Sequence, residues 1–136
     1  MATPADLSAT ALEIGQVMRQ LGSSARVVTV FRDPADAQDP AARSARKGVE
    51  GLTRSLAHEM RRGGTANGVI LAGGTDLDAP GALGALRFLL SARSAFVSGQ
   101  FLTVGTGAGE LPADWDRPLA GKVAVVTGAA LSLIHI

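Results

Sequence analysis

The chain contains neither cysteine nor tyrosine in its 136 residues. The first absence removes disulfides and thiolate metal sites and fits a reducing, cytoplasmic compartment. The second removes the phenol as a general acid. Aromatic residues reach only 4%, which disfavours a sandwich built on large rings, while 17 glycines with abundant Ala, Val and Leu favour close-packed layers of helix on sheet. No apolar run approaches the roughly 18 residues that a membrane span requires, so no membrane partner is expected. Charge is balanced as well. Thirteen basic and twelve acidic residues leave a net +1, scattered along the chain, which excludes the clustered Lys/Arg footprint of a nucleic-acid binder. The opening MATPADLSAT has no basic n-region followed by an apolar h-region. With 46% hydrophobic residues, the length allows one domain with a real core.

What is present alternates between two periods. Thr3-Pro4 offers a hydroxyl cap and a proline at the first helical position, and Leu7, Leu12, Ile14, Val17, Met18 and Leu21 follow as a helix that Gly22 can end. The β-branched run 26–31, RVVTVF, predicts a buried parallel strand. A long helix is expected from about Ala41 to Arg62. Val49, Leu52, Leu56 and Met60 form its buried stripe, Arg43, Glu50 and Arg54 lie off it, and Gly63-Gly64 stops it. Asn67–Leu71 reads as a second strand, Gly73-Gly74 as a turn, Asp78-Ala79-Pro80 as the cap and first turn of a helix over 81–92, and Gln100–Val104 as a third strand. Strand-helix alternation with short loops predicts parallel strands joined by right-handed crossovers.

After the third strand, GTGAGELPADWDRPLAG carries Gly, Pro and acids without sustained periodicity, the composition of a tether. Residues 121–130, GKVAVVTGAA, then read as a buried strand entering the Gly-rich turn of a dinucleotide-binding unit. In that unit Thr127 and Gly128 open a cofactor loop whose later glycines do not follow. Leu131–Ile136, LSLIHI, resembles the translation of a sequencing-library adapter and is not expected to belong to the fold. The expected organisation is therefore four segments. Residues 1–105 are half of an α/β domain with a partial Rossmann/flavodoxin-like parallel sheet and helices on both faces. Residues 106–120 are a linker, 121–130 the first strand and turn of a second Rossmann domain, and 131–136 the adapter-like tail.

Three phrases in register, KGVEGLTRSLAHEM, TANGVILAGG and FLLSARSAFVSGQFLTVG, resemble the second half of the short-chain dehydrogenase/reductase family. In that family a strand with a catalytic Ser precedes a Tyr-x-x-x-Lys helix, then a strand near Asn-x-Val-x-Pro-Gly, and a closing phrase ending in Gly-Gln. The resemblance covers well over half of the chain, but its chemistry does not carry over. The family's Tyr position falls on Ala42 and its Lys position on Arg46, which keeps a charge without being a tunable amine. The strand lacks the serines, and the Pro-Gly falls on Leu71-Ala72. A degenerate domain, a linker with ADWDRPL and then LAGKVAVVTGAA resembles the layout of the high-molecular-weight 3-oxoacyl-acyl-carrier-protein reductases of bacteria. That resemblance implies a parent enzyme using NADP or NAD on an acyl-carrier-protein or CoA thioester, and a homo-oligomer. No catalytic residue and no bound cofactor are expected in this chain itself. A non-catalytic oligomerisation or binding module, built on the helix around Val49–Met60 and the strand Gln100–Val104, is the alternative. A small flavodoxin-like nucleotide or flavin binder is a third reading, for which FRDPAD and LAGGTD make poor phosphate loops.

The remaining polar residues invite plainer readings. His58 has no second His or Cys near it and reads as a solvated helix residue, and His135 lies in the tail. Asp76 and Asp78 precede Pro80 and read as turn and N-cap residues rather than a carboxylate pair. Gly73-Gly74 lacks the third glycine or following Lys-Ser/Thr of a phosphate loop. Trp115, the one tryptophan, is expected to staple the linker to a domain face. Arg61, Arg62 and Arg93 read as residues at helix C-termini.

Overall fold

A computed structural model describes residues 3–125 and Thr127. Its core is a three-stranded parallel sheet in the order β1 (Arg26–Arg32), β2 (Thr65–Leu71), β3 (Phe101–Val104). The register pairs Thr29 with Gly68 and Gly68 with Phe101. Helix α1 (Ala5–Val17), continued by a 3-10 turn over Met18–Gln20, precedes β1. Helix α2 (Pro40–Glu59) connects β1 to β2, and α3 (Pro80–Leu90) connects β2 to β3. This is a partial Rossmann-like α/β sheet, as the alternation of periods predicts.

The helix starts follow local chemistry, with two departures from expectation. Asp39 accepts a hydrogen bond from the Ala42 N–H at 2.9 Å, and Pro40 occupies the first turn of α2, where its missing N–H costs nothing. At α1 the Thr3 hydroxyl does not cap. Pro4 takes the cap position, and the Asp6 carboxylate instead accepts from the Thr3 N–H at 3.0 Å. At α3 the cap is Ala79 with no side-chain bond, so Asp78 does not serve as the N-cap.

The two faces of the sheet are covered by different helices. Successive side chains of a strand point to opposite faces. On one face the Thr29 hydroxyl lies 2.7 Å from that of Thr53 on α2, and Phe31 meets Phe101 edge to face at 6.1 Å between ring centres. On the other, Val69 and Leu71 pack against Ala79, Ala82 and Leu89, with Val28, Leu102 and Val104 at the margin. The strands run parallel and in sequence order, so crossovers lying on opposite faces have opposite hands. One of the two is left-handed, a correction to the expectation of right-handed crossovers throughout. The reason lies in β2, whose Thr65–Val69 and Leu71 are buried. Both faces of that strand need a layer, and covering the Val69/Leu71 face with α3 outweighs the usual preference of hand.

Helix α2 buries Ala45, Val49, Thr53 and Leu56 against the sheet, one position round from the stripe read in the sequence. Small Ala45 and Thr53 let the helix approach closely. Leu52 is only half-buried and turns toward α1, where Leu7 lies so near Gly48 that a Cβ there would be 2.9 Å from it. Glu50 was expected off the stripe and is instead 8% exposed, with its carboxylate 2.7 Å from Lys47 Nζ and 3.7 Å from Arg54. Arg54 in turn lies 4.9 Å over the Phe101 ring. The cations on both sides allow the carboxylate to turn inward.

Gly68 is fixed by that same ring. A Cβ at this position would sit 2.4 Å from Phe101 Cδ1 and 3.2 Å from Thr29 Oγ1, and the ring is held between Phe31 and Arg54. Gly68→Ala is therefore expected to destabilise the fold by about 2 kcal/mol through overpacking, despite the gain alanine brings by restricting the unfolded chain. A urea midpoint unchanged from the parent chain would show that the ring moves aside freely.

Candidate functional site

Ala42 and Arg46, which the resemblance aligns with a Tyr and a Lys, stand together at the start of α2. Ala42 and Arg46 are one helical turn apart, beside the carboxyl end of β1. Ala42 offers a methyl group and a capped N–H. Arg46 donates from Nη1 to the Asp33 carbonyl at 2.7 Å, which ties the helix to the residue that follows β1. No acid stands between these two residues, and the Arg46 guanidinium serves the main chain.

In an open parallel sheet, ligands are received in the crevice beyond the carboxyl ends of the strands. Here a crevice of about 550 Å³ lies between the Gly73-Gly74 turn, the start of α3 and Gly105–Gly107. Both turn glycines have positive φ, +59° and +73°, and the Gly73 N–H donates to Asp36 at 2.8 Å. The rim is acidic. Asp36, Asp76 and Asp78 are exposed and Asp33 is half-buried. The arginines of this end are turned onto carbonyls: Arg32 donates to the Thr75 carbonyl and pairs with Asp76 at 3.4 Å, Arg43 donates to Ala37 at 3.0 Å, and Arg46 to Asp33. A dinucleotide brings two phosphates, and this rim meets them with carboxylates and occupied cations. The residues present do not fit an NAD(P) cofactor.

The expected second site is only partly described. Thr127 is an exposed turn residue, and Gly128 lies outside the described residues. Lys122–Val125, predicted as a buried strand, pair with no strand among the described residues, and Val123 and Val125 are 95% and 86% exposed. A strand needs a neighbour to satisfy its N–H and C=O groups, and the three-stranded sheet ends without reaching this segment.

The other candidates fall out individually. His58 is solvent-exposed on α2, as read from the sequence. Asp76 serves in a turn, its carbonyl accepting from the Ala79 N–H at 3.2 Å. Among the described residues no group of His, Cys, Asp and Glu is placed to hold a metal ion. None of their helices is long and apolar enough to cross a membrane. Trp115 does staple the segment after β3 to the domain face, lying 4.7 Å beneath the Arg87 guanidinium. Arg93, expected to be an ordinary helix end, sits in a 3-10 turn and donates to the main-chain carbonyls of Trp115 and Asp116.

Asn67 and Thr75 are among the buried polar residues that the sequence reading did not single out. Asn67 is fully buried, its amide donating to the Val97 carbonyl at 2.8 Å and its oxygen accepting from the Gln100 N–H at 3.1 Å. The signal was an asparagine inside a strand, a position that residue disfavours unless its amide is bonded. Thr75, 5% exposed, has a buried hydroxyl with no partner among the described residues. Thr75→Val keeps the shape and removes the orphaned group, and is expected to raise stability by about 1 kcal/mol. A loss of stability in thermal unfolding would mean that the hydroxyl has a partner in solution.

No protein-family model matches the chain, and no curated protein matches it. Among solved structures it is similar to a gluconate 5-dehydrogenase from Burkholderia cenocepacia in complex with NADP and tartrate, at 23% identity and a TM-score of 0.51. The match covers 73% of this chain and 49% of the dehydrogenase, so the chain spans about half the length of the structure it resembles. At this identity the likeness is one of fold: the three strands and their helices are the partial Rossmann-like architecture found in that dehydrogenase.

Proposed function

We propose that the chain is the non-catalytic part of a two-domain NAD(P)-dependent oxidoreductase that reduces 3-oxoacyl thioesters carried on acyl-carrier-protein or CoA. In this reading residues 1–105 are half of a degenerate reductase domain, 106–120 join it to a catalytic domain, and 121–130 begin that domain with Thr127 and Gly128 in its cofactor loop. The observation that carries it is the start of α2, where Ala42 and Arg46 stand one turn apart beside the end of β1 with no acid between them. The scaffold persists where its chemistry has gone. Likeness to a dehydrogenase solved with NADP, over about half of its length, supports the fold part of the proposal. The acidic strand-end rim supports cofactor binding elsewhere than in residues 1–105.

The test is to sequence the source DNA through codon 130 and assay the product of the continuous frame. Expected is a frame that runs on through a complete Gly-rich loop and a Tyr-x-x-x-Lys helix, and a product that oxidises NADPH or NADH with acetoacetyl-CoA. Oxidation of gluconate with NADP, and none with the thioester, would assign a sugar-acid substrate instead. A frame that closes after Ile136 would leave a non-catalytic module.

That second reading has its own support. Both β1 and β3 are sheet edges, and Leu12 and Val17 of α1 are 69% and 47% exposed. Unpaired edges and apolar helix faces are surfaces on which copies associate. Sedimentation equilibrium of the chain giving only monomer would remove this reading.

A further inference from the structure

The composition of residues 106–120 is that of a free tether, yet the structure lays part of this segment along α3. Two arginines hold it. Arg87, in the last turn of α3, places its guanidinium 4.7 Å from the centre of the Trp115 ring. Arg93, six residues on, donates from Nη1 to the Trp115 carbonyl at 3.0 Å and from Nη2 to the Asp116 carbonyl at 3.2 Å, with the Asp116 carboxylate farther away at 3.4 Å. Most other bonds found in this segment close turns within it: Asp116 N–H to Asp114, Ala120 N–H to Arg117 and Lys122 N–H to Leu119. Beneath it runs a cleft of about 990 Å³ beside Gly84, Phe88 and Ala92, and Phe88 stays 37% exposed. The segment is thus gripped around one tryptophan and does not seal onto the helix along its length.

We propose that residues 110–122 are a two-state strap, docked on α3 or released, and that Arg87 and Arg93 are the clip that selects the docked state. Docking sets the direction the chain takes beyond Lys122. Release turns the strap into the tether that its composition describes. The clip grips main-chain carbonyls and a ring, contacts that screening by salt weakens less than an exposed ion pair. Its strength therefore does not depend on the Asp116 carboxylate.

Trp115 is the only tryptophan, so its fluorescence reports the strap directly. The experiment is acrylamide quenching and emission of the whole chain, with far-UV circular dichroism alongside. Expected is a Trp115 shielded relative to N-acetyltryptophanamide. Arg87→Ala should shift the docked-to-released ratio roughly two- to five-fold toward release, the weight of an exposed cation–π contact. Arg93→Ala should release the strap further, with a red-shifted emission and an unchanged far-UV spectrum, while Asp116→Asn leaves quenching as it was. In the unaltered chain, raising NaCl to about 0.5 M should keep Trp115 shielded, because the carboxylate contact is the clip's one ion pair and the contact that screening weakens most. Full accessibility of Trp115 in the unaltered chain, release by salt alone, or an Asp116→Asn effect equal to that of Arg93→Ala would each overturn the proposal.

Discussion

Replacing Asn67 by alanine is expected to destabilise the fold by about 3 kcal/mol, from two buried hydrogen-bonding groups left without their partner and the cavity left by the amide. Asn67 has no solvent exposure, so water cannot take over either bond. Its amide holds the Val97 carbonyl, and its oxygen holds the Gln100 N–H at the entry to β3. Two main-chain bonds flank it, from Gly99 N–H to Ala66 at 2.8 Å and from Gly68 N–H to Gln100 at 2.9 Å. The side chain therefore registers the approach of β3 to β2 as well as filling space. Asn67→Leu separates the two contributions, since it refills the volume without bonding. If hydrogen bonding dominates, the leucine variant is nearly as unstable as the alanine variant in urea unfolding followed by circular dichroism. Full recovery by leucine would reduce the effect to packing.

Leu89→Ala is expected to cost about 3–4 kcal/mol, the middle of the range for a fully buried leucine whose site cannot collapse. Leu89 is the largest side chain with no exposure, and it packs with Val69, Leu71 and Ala82 between α3 and the sheet. Collapse is resisted by Ser94, whose hydroxyl donates to the Leu89 carbonyl at 2.9 Å and anchors the turn after the helix. Leu89→Met, which keeps the volume, should cost below about 1.5 kcal/mol. A loss near 1 kcal/mol for alanine would show that α3 settles into the gap and that its seat is loose. The Asn67 and Leu89 effects should not add. Val97, held by Asn67, packs on the cluster that contains Leu89, and contacting sites couple by roughly 0.5–3 kcal/mol. A double variant whose loss equals the sum of the single losses would contradict that coupling.

The elements were legible because each carries its own local signal. RVVTVF is β-branched and short, the helix that follows keeps spacings of three and four, and Gly63-Gly64 is punctuation whose effect is confined to a turn of chain. Observed boundaries sit within a few residues of those expected, such as α2 at Pro40–Glu59 against 41–62. The site residues were less legible. Ala42 and Arg46 were located by resemblance alone, and the bond from Arg46 to the Asp33 carbonyl could not be read from a spacing of thirteen residues.

What the sequence by itself determined is the set of parts: an α/β chain, parallel strands, the missing tyrosine, and a segment of linker composition after the third strand. Tertiary structure alone decided three other matters. It sent α3 to the opposite face from α2, because β2 is buried on both sides and an exposed Val69/Leu71 face would be costly. It turned Glu50 inward, because Lys47 and Arg54 supply charge on either side once the helix is laid on the sheet. It also docked the segment around Trp115, because Arg87 and Arg93 converge on that residue only when the turn after α3 brings them together. Periodicity and capping act over a few residues of chain. These three outcomes depend on which surfaces remain uncovered after the strands have paired, and that is a property of the assembled sheet.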